Sequence, residues 1–155
     1  MALEAADSGR SVTAVQVREV PLARTRALRQ AVLRPHERVE DMAAHEPAGA
    51  FAVGAFDGEA LVAVGFIAAD GEPGAWRVRA MATEPHARGG GAGRAVLDAL
   101  VAHARAHGGS RVWCNARVGA RSFYERAGWR IASEEFEIPG IGIHFVMERS
   151  LMLSV

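Results

Sequence analysis

Lysine is absent from this 155-residue chain: each of its 18 basic residues is an arginine. A nucleoside-triphosphate P-loop needs Gly, four residues, then Gly-Lys-Ser/Thr, so that reading is excluded outright. The single cysteine, Cys114, rules out an internal disulfide and leaves no second thiol for a metal site. Between Trp113 and Asn115 in an apolar stretch, it reads as a packing residue rather than a nucleophile. No pair of histidines has metal-ligand context, and no metal is expected. No apolar run reaches the roughly 18 residues that a membrane span needs, and the first residues lack a basic-then-apolar secretory pattern, so a cytoplasmic protein is expected. Formal net charge is zero. With no arginine-dense stripe interleaved with aromatics, neither nucleic acid nor an anionic membrane is an expected partner.

What the chain has is apolar residues, half of the total, and 17 glycines. That is enough for one continuous core in one domain. Residues 1–10 lack periodicity and are expected to be mobile, leaving 11–155 as the domain. Alternation predicts a first strand over 11–20, and Pro21 suits the first position of a helix running to residue 33. Arg34-Pro35 should break it, with a short helix following over 37–44. Two apolar runs, 49–56 and 59–69, flank Asp57-Gly58, a strong hairpin signal. A fourth strand is expected over 76–83. After a glycine-rich loop, Val96, Leu97, Leu100, Val101 and Ala104 recur at helical spacing until Gly108-Gly109. Then follow a strand over 111–116, a helix over 119–127 stopped by Gly128, and strands over 129–136 and 143–149. The expected fold is α/β (α+β): a seven-stranded, mostly antiparallel sheet with about four helices. Its fourth and fifth strands form a right-handed parallel crossover.

The most informative stretch is Met81-Ala-Thr-Glu-Pro-His-Ala-Arg88-Gly-Gly-Gly-Ala-Gly93-Arg94, a strand entering a glycine-rich loop that opens a helix. Glycines let consecutive N–H groups turn toward one point, and the helix adds its unpaired first-turn donors and positive dipole end. An anion should sit there. A dinucleotide fingerprint, Gly-x-Gly-x-x-Gly, fails: Gly89-x-Gly91 meets Arg94 at the required place, and Gly91-x-Gly93 meets Val96. What remains, Arg88-x-x-Gly91-x-Gly93, resembles the acyl-coenzyme A loop of the GNAT superfamily of N-acetyltransferases. Downstream, Ala120-x-x-Phe123-Tyr124-x-x-x-Gly128-Trp129 resembles a second pattern of that superfamily. Trp76-Arg-x-Arg-x-Met-Ala-Thr83, Trp113-Cys-Asn-Ala-Arg117, the C-terminal Glu135-to-Met147 pattern and the opening-helix stretch Leu28-Arg-x-x-Val-Leu-Arg34-Pro35 are similar to a branch of small bacterial predicted acetyltransferases.

The resemblance implies an acetyl-coenzyme A-dependent N-acetyltransferase acting by direct transfer to a primary amine. It implies that the parallel strands splay to admit the coenzyme's pantetheine arm, bonded to main-chain groups of Met81 and Thr83. It assigns the pyrophosphate to Arg88, Gly89, Gly90, Gly91, Ala92, Gly93 and Arg94. Tyr124, the only tyrosine, lies at the family position for the group that protonates the departing sulfur. A phenol near pKa 10 is uphill by roughly 2 kcal/mol against a thiolate near 8.5, so it needs help from its site or acts as a hydrogen-bond donor. Where many members carry Asn three residues before the alanine of the tyrosine motif, this chain has Arg117. Asn115 stands two positions earlier, and either residue is a candidate cofactor contact.

The acceptor side is less defined. Strand four offers no carboxylate. Its same-face positions read as Arg77, Arg79, Met81 and Thr83, and adjacent arginines need anionic company, either Glu135 and Glu137 or a carboxylate or phosphate on the acceptor. His144 is the first candidate for the base and His36, beside the helix break, the second. No basic or acidic groove is visible, and small amines are the commoner acceptors among compact bacterial relatives. The family often dimerises, so a homodimer is compatible. A non-catalytic acyl-coenzyme A sensing module is the alternative, and the retained Tyr124 argues against it.

Overall fold

The structure, a computed structural model, describes residues 15–152. The segment expected to be mobile and the first residues of the expected first strand lie outside them. Eight strands form one sheet: β1 (Val15–Glu19), β2 (Phe51–Asp57), β3 (Ala60–Ala69), β4 (Ala75–Thr83), β5 (Arg111–Arg117), β6 (Arg130–Ile131), β7 (Phe136–Ile138) and β8 (Gly142–Ser150). The order is β1-β2-β3-β4-β5-β8-β6, with β7 also paired to β8. Among the described residues only β4 and β5 run parallel. The Asp57-Gly58 hairpin forms as expected, with Gly58 at φ 63° and Asp57 facing Ala60.

Among the described residues three α-helices cover the sheet: α1 (Arg26–Leu33), α2 (Ala92–Ala106) and α3 (Arg121–Arg126). Val96, Leu97, Leu100, Val101 and Ala104 of α2 are buried against Val53, Ala63, Ile67 and Val78. Each large side chain in this stripe contributes roughly 1.5–3 kcal/mol by leaving water. α1 covers the opposite face, where Leu28 meets Val64 and Ala82. Covered on both sides, β3 is apolar almost throughout rather than alternating. Among the described residues no helix is long and apolar enough to cross a membrane.

Three expectations need correction. The helix expected over 37–44 is a 3-10 segment, Val39–His45, in which only Met42 is buried, so no apolar stripe holds α-turns to the sheet. The expected single strand over 129–136 is divided into β6 and β7. Val146 N–H donates to the Ser133 hydroxyl at 2.9 Å, so a side chain takes the amide that a continuous ladder would use.

The third correction bears on function. Opposite Gly65, β4 carries an extra residue: Val64 pairs with Ala82 but Phe66 with Arg79. Ala80 sits in this β-bulge at φ 63°. A bulge reverses the alternation beyond it. Arg77 and Arg79 lie on the α1 face, Arg79 over the Phe66 ring at 5.4 Å. Met81 instead packs into the α2-side core, and Thr83 faces Gly93 of α2. The four positions therefore do not share a face.

Candidate functional site

The ladder between β4 and β5 stops early. Ala75, Trp76 and Arg77 pair with Arg111, Val112 and Trp113, and residues 78–83 and 114–117 then continue without pairing to each other. This splay opens into a cavity of about 1170 Å³ reaching from the glycine loop, through the gap, to the end of α1.

At one end the loop leaves β4 through a short 3-10 turn, Pro85–Ala87. Gly89 and Gly91 hold left-handed conformations at φ 83° and 91°, and Gly91 caps α2. Among the described residues, none of the N–H groups of residues 89–94 donates to a backbone carbonyl; the first that does is Ala95, to Gly91 O at 2.9 Å. These donors and the start of a 15-residue helix form one electropositive concavity. A Cβ on Gly93 would lie 3.0 Å from Thr83 Oγ1, so glycine is what lets α2 approach β4 this closely. Arg88 Nε donates to Thr83 O at 3.3 Å, while Arg94 pairs with Asp98 at 2.9 Å and donates to Arg126 O at 3.3 Å.

Tyr124 stands on the cavity wall, buried, with Phe123 and Trp129 rings at 5.1 Å. Burial, with the neighbouring Cys114 thiol adding to it, raises its pKa well above the ordinary 10.0. Burial likewise pushes the Cys114 thiol up to about 12, so it is no thiolate at neutral pH and the packing reading stands.

At the other end, Arg117 reaches across to α1 and donates to Leu33 O at 3.0 Å, and Arg79 donates to His45 O at 3.0 Å. His144 lies opposite Arg117 in the β5–β8 ladder, buried on the wall. Its Nδ1 is 2.8 Å from Gly142 O. A carbonyl can only accept, so Nδ1 carries a proton and Nε2 is the ring nitrogen left for other partners.

The structure thus brings Met81, Thr83, Arg88, Gly89, Gly91, Ala92, Gly93, Arg94, Asn115, Arg117, Arg79, Tyr124 and His144 to one cavity. Gly90 lies in the same loop. Besides Gly90, which is itself off the wall, two expected residues are left out. His36 is exposed and off the wall. Arg77 instead stacks over Trp113 at 5.1 Å and pairs with Asp70 at 3.6 Å. Glu135 and Glu137 are exposed and partner neither arginine among the described residues. Sequence reading missed Arg34, Arg126, Glu37 and Phe123, all on the wall. The expectation of no charged groove also fails. Seven arginines and one carboxylate, Glu37, line this cavity of a chain with zero net charge.

Comparison with known proteins agrees with this architecture. A family model described as Acetyltransferase (GNAT) domain matches residues 18–151. A Bacillus subtilis (strain 168) protein described as the uncharacterized N-acetyltransferase YitI is 31% identical over 147 residues, covering 90% of this chain and 99% of that protein. Among solved structures, an aminoglycoside 6'-N-acetyltransferase complexed with coenzyme A superposes with a TM-score of 0.76 at 13% identity, covering 90% of this chain and 99% of the other. The ribosomal-protein-S18-alanine N-acetyltransferase of Escherichia coli gives 0.74 at 14% identity, covering 91% and 96%. At those identities the likeness is one of fold. The family match and the Bacillus relative go further: this chain belongs to the GNAT family of N-acetyltransferases.

Proposed function

We propose that the chain moves the acetyl group of acetyl-coenzyme A to the primary amine of a small molecule, in a ternary complex without an acyl-enzyme. The observation that carries this reading is the run of free N–H groups over residues 89–94 opening into the same cavity as the only tyrosine. Acetyl-coenzyme A supplies an activated thioester carbonyl and a thiolate leaving group. The residues present fit it. The amides of residues 89–94, flanked by Arg88 and Arg94, would hold its diphosphate, and the edge of β4 at Met81 and Thr83 that is left open toward β5 would bond the pantetheine amides. Asn115, across the splay, completes that channel.

A backbone N–H of β4 near Met81 is the donor available to the carbonyl oxygen as it gains charge. Tyr124 donates its hydroxyl hydrogen to the departing sulfur. Because burial raises its pKa further above 10.0, full proton transfer is more uphill than for a free phenol. The hydroxyl therefore acts chiefly as a hydrogen-bond donor in a pocket that also disfavours a bare thiolate. Nε2 of His144 accepts the proton of the incoming ammonium; as the new C–N bond forms and the C–S bond breaks, the second nitrogen proton ends on the coenzyme A sulfur.

Crystallisation with acetyl-coenzyme A, together with thiol release over an amine panel, tests this. The diphosphate should lie on the amides of residues 89–94 and the sulfur within hydrogen-bonding reach of Tyr124 Oη. A coenzyme bound elsewhere removes the proposal. Binding in place with no transfer to any amine makes the chain a sensing module instead.

A further inference from the structure

The seven arginines of the cavity fall into two groups. Arg88, Arg94 and Arg126 belong to the glycine-loop end. Arg29, Arg34, Arg79 and Arg117 stand at the α1 end. Arg29 is paired with Glu46 at 2.6 Å, a carboxylate it shares with Arg26. Among the described residues, Arg34, Arg79 and Arg117 form no salt bridge with a carboxylate. Each spends one N–H on a main-chain oxygen: Arg34 on Leu33 O at 3.4 Å, Arg117 on the same Leu33 O at 3.0 Å, and Arg79 on His45 O at 3.0 Å. Two guanidinium groups converging on one carbonyl oxygen bring like charges within a few ångströms of each other.

That arrangement is costly without an anion. Burial first, and then the charge of Arg34, lowers the pKa of Arg117; burial first, and then Arg77 and Arg29, lowers that of Arg79. Among the described residues Glu37 is the one carboxylate on this wall, a single charge against three. A guanidinium carries five N–H donors in a planar fork that fits carboxylate and phosphate oxygens, and each of the three has most of its fork unspent. The glycine loop already offers its own amides to the coenzyme's diphosphate at the opposite end. Arg79 and Arg117 lie on the α1 face of β4 and β5 and Arg34 caps the end of α1 beside them, across the splay from Met81 and Tyr124.

We propose that the acceptor is an anionic amine, bearing a compact carboxylate or phosphate monoester, and that Arg34, Arg79 and Arg117 hold this group while the amine faces the splay. This rests on the acetyl-transfer reading above and adds the chemical class of the acceptor.

Matched acceptors test it by thiol release. α-Amino acids are compared with their amides and decarboxylated amines, and amino-alcohol phosphate monoesters with the free amino alcohols. The anionic member of a pair should show at least ~10-fold higher kcat/KM, and the two series separate carboxylate from phosphate. Arg79→Gln should lower kcat/KM for the anionic acceptor ~10-fold while the KM for acetyl-coenzyme A stays within about twofold. Arg34→Gln serves as a second variant should Arg79→Gln fail to fold. Calorimetry on coenzyme A-saturated protein, with N-acetyl amino acids against their amides, reads anion binding without turnover.

Equal or faster transfer to the neutral members overturns the inference and leaves the transferase reading intact. Anion binding without transfer to any amine sustains the anion site and sinks the transferase reading. A rise in the KM for acetyl-coenzyme A in both variants, with acceptor preference unchanged, gives the arginines to the coenzyme and overturns the inference. No binding and no transfer with any probe overturns both.

Discussion

The two ends of the cavity are built by different means. The glycine-loop end is contiguous in sequence and presents main-chain N–H groups, whose direction is set by Gly89, Gly91 and the start of α2. The α1 end is assembled from side chains of residues 34, 79, 117 and 144, beside a brace in which Glu46 binds Arg26 and Arg29 of α1. A backbone cradle depends on conformation and tolerates little change in it. A side-chain cluster depends on charge and depth of burial, and its parts can be exchanged singly.

The largest effect is expected from the brace. Glu46, with its side chain 5% exposed, accepts from Arg26 at 2.7 Å and Arg29 at 2.6 Å and ties the segment before it to α1. Glu46→Gln leaves two guanidinium groups short of a counter-charge, at a cost of about 3 kcal/mol. A Tm lower by about 6–12 °C would show it. The hydrogen bond from Arg26 is the main cause that holds Glu46 below its ordinary pKa of 4.5. Its folded pKa being depressed, the stability it contributes is complete above about 4.5 and is lost as the pH falls through the lower folded value. The Gln variant should therefore show a flatter acid limb in urea titrations. An unchanged Tm would mean that the α1 end does not depend on this pair.

Tyr124→Phe, at the junction of the two ends, should lower kcat by about 10²-fold or more with little change in acetyl-coenzyme A affinity. Since the phenol stays protonated beyond its ordinary range, wild-type kcat should show no loss attributable to Tyr124 up to pH 10. Stopped-flow thiol release measures both.

Gly91→Ala tests the cradle. At φ 91° a Cβ costs about 1–2 kcal/mol. Tm should fall by about 2–8 °C, and acetyl-coenzyme A should bind more weakly in calorimetry. Equal affinity would show that the loop is not conformationally demanding.

The smallest effect belongs to Ala80→Gly. Relief of a left-handed alanine at φ 63° is worth about 1–2 kcal/mol, and the added chain entropy of glycine takes back about 0.5–1 kcal/mol. The net is a Tm rise of a few degrees at most; a loss of stability would show that the bulge draws on the alanine methyl.

The same contrast explains what could be read in advance. The loop, the α2 stripe, the hairpin and the parallel pair were legible because each rests on local chemistry: glycine conformations, helical spacing, an Asp-Gly turn. The basic wall was not, because Arg34, Arg79 and Arg117 lie far apart in sequence and meet only when α1 crosses the splay. Formal charge sums to zero and conceals the segregation. The bulge at Ala80 was likewise hidden, since strict alternation along 77, 79, 81 and 83 is what a regular strand would show.

That one inserted residue has an engineering consequence. Because β4 changes phase at Ala80, positions 77 and 79 face one compartment while 81 and 83 face the other. If acceptor and coenzyme bind as proposed above, selectivity for the nucleophile can be reprogrammed at 79 without disturbing recognition of the acyl carrier, on a single nine-residue strand.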